Sequence, residues 1–161
     1  MRKLALLAVL AIAFGSPVAS RSAGMSDLQY YVGTWTCQAG MPGKPPSNAT
    51  ATYTLDSGVL RQWVSVPVQS GMKRGYSLSS ATTYDQKKGM YVQANVDSDS
   101  NWSIDYAKPW SGNTEQWADH VSSTKLEHST VTRTNQNSFS FVGYSSLTST
   151  TPTFKGTCTR S

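Results

Sequence analysis

The sequence predicts an all-β chain: an antiparallel up-and-down β-barrel of eight to ten strands, preceded by a short helical turn. Three observations carry this. Apolar and polar residues alternate with period two through most of the chain after residue 31. Turn residues recur every eight to twelve positions, the spacing of sandwiches and barrels. The only two cysteines, Cys37 and Cys158, fall in the first and the last of the strands so defined.

The elements follow in order. Arg2 and Lys3 form a positive start, Leu4 to Phe14 an apolar run, and Val18-Ala19-Ser20 a small-residue cleavage site. This is the pattern of a secretory signal peptide over residues 1–20. The run is too short to span a bilayer in the usual way, and no later run is long and apolar enough to cross one. Residues 21–161 then form a single domain. Met25 to Tyr31 makes a helical turn, with Ser26 as its N-cap and Leu28 and Tyr31 on one face. Gly33, Trp35 and Cys37 alternate in the first strand, and "AGMPGKPPS" (39–47) is a Pro/Gly loop. "ATATYTLD" (49–56) places Ala49, Ala51, Tyr53 and Leu55 on one face, and Ser57-Gly58 turns the chain. "VLRQWVSVPV" (59–68) and "GYSLSSATTY" (75–84) follow, separated by Ser70-Gly71. "MYVQANVD" (90–97) sets Met90, Val92, Ala94 and Val96 against Tyr91, Gln93, Asn95 and Asp97. Trp102, Ile104 and Tyr106 alternate in the next strand. "TEQWADH" and "KLEHSTVTR" make a hairpin around Ser122-Ser123. "SFSFVGYSSL" and "TFKGTCTR" complete the set.

The cysteines speak to closure. If Trp35 faces the core, so does Cys37 two residues later. Phe154, Gly156, Cys158 and Arg160 share a face of the last strand. In an exported chain a lone cysteine pair reads as a disulfide, the alternative being two buried thiols. A disulfide needs Cα atoms within about 7 Å, so the first and last strands would be neighbours and the sheet would close. The same registry sets Arg160 on the face of Trp35.

Gly33-Thr34-Trp35 after a short helical turn resembles the G-x-W opening of the calycins, the lipocalin superfamily. In that superfamily a basic residue near the end of the barrel packs over the opening tryptophan, a role that would fall to Arg160. The pattern is most similar to exported bacterial lipocalin-like barrels carrying a domain of unknown function. It shares with them the hairpin from Thr54 to Trp63, the Tyr84-Asp85 turn and the strand ending at Val96-Asp97. The resemblance covers residues 28 to 160 and implies a calycin-like barrel in the periplasm or outside the cell. Some calycin-like barrels ligate haem, and in the nitrobindin type the ligand is a histidine near the chain's end. Nothing after His128 is a histidine, so the resemblance implies no haem, and no other cofactor is expected.

Charge and motifs narrow the function. The chain has 14 Lys and Arg against 9 Asp and Glu; removing Arg2 and Lys3 leaves 12 against 9, a net +3. Lys73-Arg74 and Lys87-Lys88 are the adjacent pairs, each beside a glycine-containing turn. Nucleic-acid proteins cluster more charge than this, so no nucleic-acid partner is expected. There is no phosphate loop, no G-x-S-x-G and no H-E-x-x-H, and no catalytic residues stand out. His120 and His128 flank a turn, and a hairpin centred near residue 124 would make them cross-strand neighbours about 5 Å apart. Zinc would need further ligands, and Asp119 and Glu127 point to the other face, so no metal is expected. Asp97 and Asp99 read as turn chemistry. Two N-x-[ST] matches, at Asn48 and Asn101, read as chance in a bacterial signal-peptide context.

The aromatic content remains, with 5 Trp and 8 Tyr. A barrel of eight strands holds side chains or one small ligand, and ten leave more room. By the alternation above, the inward residues are Tyr53, Leu60, Gln62, Val64, Met90, Val92, Trp102, Tyr106 and Phe141. With His120 and His128 they would line a cavity for a small apolar or amphiphilic molecule. Two other functions make different predictions. An enzyme would show a strongly shifted pKa on His120 or on a cavity carboxylate. A filled structural or interaction barrel would show no cavity and an outer apolar patch around Trp63 and Trp117.

Overall fold

The structure is a computed structural model and describes residues 24–69 and 72–161. The expected signal peptide lies outside the described residues. Ten strands form: β1 (Gly33–Gly40), β2 (Ser47–Asp56), β3 (Val59–Val66), β4 (Tyr76–Asp85), β5 (Met90–Asp97), β6 (Trp102–Ala107), β7 (Thr114–Ser122), β8 (His128–Asn135), β9 (Ser138–Tyr144) and β10 (Pro152–Arg160). Each pairs antiparallel with the next, and β1 pairs with β10, so the sheet is a closed barrel. Among the described residues no helix is long and apolar enough to cross a membrane.

The seam between β1 and β10 is the designated closure. Trp35 lies opposite Arg160, and Cys37 opposite Cys158. The two cysteines form a disulfide across that rung, linking positions 121 apart. The Arg160 guanidinium lies 4.4 Å from the centre of the Trp35 ring. It also donates to the carbonyls of Val32 and Tyr30. Gly33 makes room for it: a Cβ there would sit 2.9 Å from Arg160 Nη1, and Gly33 has φ +126°. The glycine of the opening G-x-W is therefore required by the arginine 127 positions later.

A 3-10 helix, Met25–Tyr31, plugs the end of the barrel at which β1 begins. Its first turn is closed by Asp27 rather than by Ser26, with Gly24 as N-cap: the Asp27 carboxylate accepts the Gly24 N–H. Leu28 and Tyr31 are buried as expected. Tyr31, Trp35, Tyr53, Leu60, Tyr91 and Phe139 pack with them into one core. The Trp35 indole N–H donates to the Tyr31 carbonyl at 2.7 Å and ties plug to wall.

Register decides which residues face in. Ala51 pairs with Val64, Tyr53 with Gln62 and Leu55 with Leu60, so β3 is oriented as expected. The same parity carried through β4 turns Tyr91, Gln93, Asn95 and Asp97 inward. It then turns Met90 and Val92 outward, with Trp102 and Tyr106 on the outer face of β6. The expectation that these four line the interior is corrected. The reason is that β5 and β6 reverse the usual rule. The inner residues Gln93 and Asn95 are polar but paired: Gln93 donates to Thr82 Oγ1 at 2.9 Å, and Ser80 Oγ donates to Asn95 Oδ1 at 2.6 Å. Satisfied polar groups are tolerated inside, so hydrophobicity alone does not fix a strand's parity.

Two predictions follow from the seam and its neighbours. The double variant C37S/C158S should lose up to about 5 kcal/mol of unfolding free energy, the chain-entropy value for so long a loop, with its far-UV circular dichroism unchanged. Urea titration measures the loss. A Cβ at Gly156 would meet Phe141 Cζ at 2.4 Å and Ala39 Cβ at 2.7 Å. G156A should therefore cost about 1–3 kcal/mol in the same titration, the range for overpacking.

Candidate functional site

The interior divides into two halves. The plugged half is filled. Tyr31 and Tyr53 stack with centroids 5.3 Å apart, and Gln62 donates to the Tyr53 hydroxyl at 2.8 Å. Within this half Glu115 on β7 is 1 % exposed. Its Oε2 accepts from the Tyr31 hydroxyl and from the Trp117 indole, each at 3.0 Å. Its Oε1 is buried and has no partner among the described residues. Arg133 lies nearby, donates to the Asp27 carbonyl, and has its guanidinium 3.6 Å from the Trp110 ring centre. Burial pushes the Glu115 carboxyl up to about 7, with Trp117, Tyr31 and Arg133 holding it partly down. Burial and the nearby Glu115 also push the Tyr31 and Tyr53 hydroxyls up.

The other half opens to solvent in a cleft of about 300 Å³. Its inner wall is polar. Asp105 on β6 lies directly opposite Asp119 on β7, and both face in. A register shift follows Ile104, which pairs with Val121 and leaves His120 without a partner on β6. Bulges re-aim side chains in this way. Here the shift lets Asp119 and Ser122 both line the cleft. Asp105 Oδ2 accepts from Asn95 Nδ2 at 2.7 Å, while Oδ1 is buried and unpartnered among the described residues. Asp119 Oδ2 accepts the Glu127 backbone N–H at 3.1 Å. Burial first, and the Asp105 charge second, push Asp119 up to about 6; burial also raises Asp105. The pair therefore holds a proton into the weakly acidic range.

Asp97, at the rim, is a different kind of carboxylate. It accepts the backbone N–H groups of Asp99 and Asn101 and the Asn101 side chain, as the turn reading expects. Burial is the largest single influence and opposes ionisation, but these bonds together with that from Tyr76 outweigh it and hold Asp97 below its ordinary range. The Tyr76 hydroxyl is pushed up to about 12 by burial and by Asp97. Tyr76 and Leu78 give the cleft its apolar surface.

Of the nine residues expected to contact a ligand, one lines this cleft: Trp102, from the rim. Tyr53, Gln62 and Val64 face in as expected, deeper in the barrel. Phe141 also faces in and packs over Gly156. Met90 is on the outer wall. Tyr106 is outside with His120 edge-on to it at 5.0 Å, and Lys88 donates to its hydroxyl. His128 is outside too, stacked on Tyr144 at 4.3 Å. His128 pairs with Ala118 rather than facing His120, so the two histidines share no site. Asp119 points inward, against expectation. Trp117 also faces in, where it donates to Glu115. The outer apolar row instead joins Trp63, Val96 and Trp102 across β3 to β6 with Ser79 between them. The acids at 105, 115 and 119 stood in alternating strands, but a lone inward carboxylate has no sequence signature apart from its parity.

A closed ten-strand antiparallel barrel with one plugged end and one polar mouth is the class these features define. Among solved structures the chain is similar to Rv2717c from M. tuberculosis, with TM-score 0.60, 11% identity, and coverage of 85% of this chain and 96% of that one. A redesigned β-barrel matches with TM-score 0.46 and 17% identity over 87% of this chain and 98% of its own. The first likeness supports the barrel fold. No family model and no curated protein matches the sequence.

Glu115 sets a pH dependence of stability. Its ordinary value is 4.5 and its folded value about 7, so the fold favours the acid form. The contribution is fully present below pH 4.5 and is lost as pH rises through 7. It amounts to about 3 kcal/mol. E115Q keeps an acceptor for Tyr31 and Trp117 but cannot ionise. Its unfolding free energy relative to wild type should be near zero at pH 4 and favourable by roughly 3 kcal/mol at pH 8. Denaturant titration across that range checks it.

Proposed function

We propose that this protein is an exported binding protein for a small amphiphile carrying a cationic head. The head sits on the Asp105–Asp119 pair, and the apolar part lies against Tyr76 and Leu78. One observation carries the reading: Asp105 Oδ1 is a buried acceptor without a donor among the described residues, beside a second carboxylate, at the wall of a cleft open to solvent. A protonated amine would supply both the missing donor and the missing charge. Charge-assisted hydrogen bonds are the stronger kind, and a partly desolvated site strengthens them further. The cleft's size lies at the lower end of ligand pockets, which suits a small molecule or one end of a longer one.

Two further points support the reading. The G-x-W opening with Arg160 over Trp35 matches the calycin pattern, a superfamily of small-molecule carriers. The disulfide suits an oxidising compartment, periplasmic or extracellular. Aromatic side chains pack the plugged half, so the ligand enters by the mouth.

Decylammonium and decanol, titrated calorimetrically at pH 8, test the proposal. The ammonium should bind at least tenfold more tightly than the alcohol. D105N/D119N should remove that difference, and wild-type affinity should fall as pH drops through about 6, where Asp119 takes up its proton. Equal binding of the alcohol, or full affinity in the double variant, would overturn it.

A further inference from the structure

A second concavity lies away from this cleft. It is a groove of about 420 Å³ where β1, β10 and β9 meet the loop after β1. Two rungs form its floor: Gln38, Thr157 and Ser140 in one, and Gly40, Lys155 and Val142 in the next. These positions alternate with Ala39, Gly156 and Phe141, which face the barrel interior, so the floor is the outer wall. Met41, Lys44 and Pro46 overhang it.

The overhang is built rather than incidental. A Cβ on Gly40 would lie 3.3 Å from Pro46 Cα and 3.4 Å from the Pro45 carbonyl, so the bare glycine lets the returning loop lie close against the strand. Pro45 and Pro46 restrict the backbone there, which lowers the ordering cost of binding. The loop is also turned by Gly43 at φ +77°.

Charge in the groove is one-sided. Lys44 and Lys155 both line it, and no carboxylate does. Among the described residues the ion pairs are Arg74–Asp99 and Lys125–Glu127, so neither groove lysine is neutralised. Gln38, Ser140 and Thr157 add neutral hydrogen-bonding groups. Met41, Pro46 and Val142 supply hydrocarbon surface, and Met41 is 64% exposed. Two cations above an apolar strip, with donors beside them, complement an anion attached to a short alkyl chain.

We infer that this groove is a second ligand site, for a free alkyl carboxylate whose head lies between Lys44 and Lys155 and whose chain runs along Met41, Pro46 and Val142. The site is opposite in charge to the Asp105–Asp119 cleft and shares no lining residue with it. The two therefore bind independently.

Decanoate is the probe, titrated into the full-length mature chain and followed by amide chemical shifts. Shifts should concentrate at residues 38–46, 140–142 and 155–157. K44Q/K155Q should weaken binding at least tenfold, K44E/K155E should abolish it, and D105N/D119N should leave it unchanged. K87Q/K88Q removes the same charge elsewhere and should bind as wild type. Circular dichroism establishes that each variant is folded, and the neutral glutamine pair carries the test if the charge-reversed pair does not fold. Decanol binding as tightly as decanoate, unchanged affinity in K44Q/K155Q, or equal loss in K87Q/K88Q would overturn the inference.

Discussion

The pairing of β1 with β10 is the constraint on which the rest depends. Without it the sheet is an open ladder with two exposed edges, the arrangement most prone to aberrant pairing. With it, the interior is defined and every strand has two neighbours. Three groups concentrate at this seam: the Cys37–Cys158 bond, the Trp35 indole and the Arg160 guanidinium. Arg160 also reaches two carbonyls at the end of the plug, so one side chain joins the first strand, the last strand and the helix. A cation over an indole contributes roughly 0.5–2 kcal/mol, but its larger effect here is geometric. It fixes where the helix ends and therefore how deeply Tyr31 enters the barrel.

The interior that results is not uniform. Near the plug, aromatic rings fill the space and leave one buried acid, Glu115, incompletely satisfied. Toward the mouth, small and amide side chains replace the rings, and Ser80, Thr82, Gln93, Asn95 and Ser103 form hydrogen-bonded pairs. Rings need volume and exclude water; amides need partners and leave gaps. The passage from one to the other along the barrel axis opens the mouth and gives the carboxylates of β6 and β7 their setting. Asp97 shows the contrast by its neighbours: surrounded by N–H donors, it stays ionised, whereas Asp119 with a second carboxylate opposite does not give up its proton so readily.

Much of this architecture was legible in residues alone. The strand set, the helical turn, the terminal disulfide and the Arg160–Trp35 contact follow from alternation, turn spacing and the parity of two cysteines. Parity failed in β5 and β6. Met90, Val92, Ala94 and Val96 look like an inner face because they are apolar, and they are outside. Tyr91 was the informative residue: it is fully buried, and its neighbours Gln93 and Asn95 follow it inward. The site inherits that error, since Trp102 and Tyr106 were read from the same apolar face. Asp119 was missed for a second reason. The shift of register between Ile104 and Asp105 inserts His120 as an unpaired residue, and nothing in the local sequence marks a bulge that exists to satisfy the partner strand.

The order of the strands has a kinetic consequence. Nine of the ten pairings join strands adjacent in the chain, and each can form by local zipping of a hairpin. The tenth joins the ends, across the longest loop in the molecule, and its entropic cost is repaid only when the cylinder is complete. Closure is thus the late event of assembly, and the thiols of Cys37 and Cys158 meet only then. Oxidation of this pair marks a finished barrel, so the state of two thiols distinguishes closed molecules from open ones.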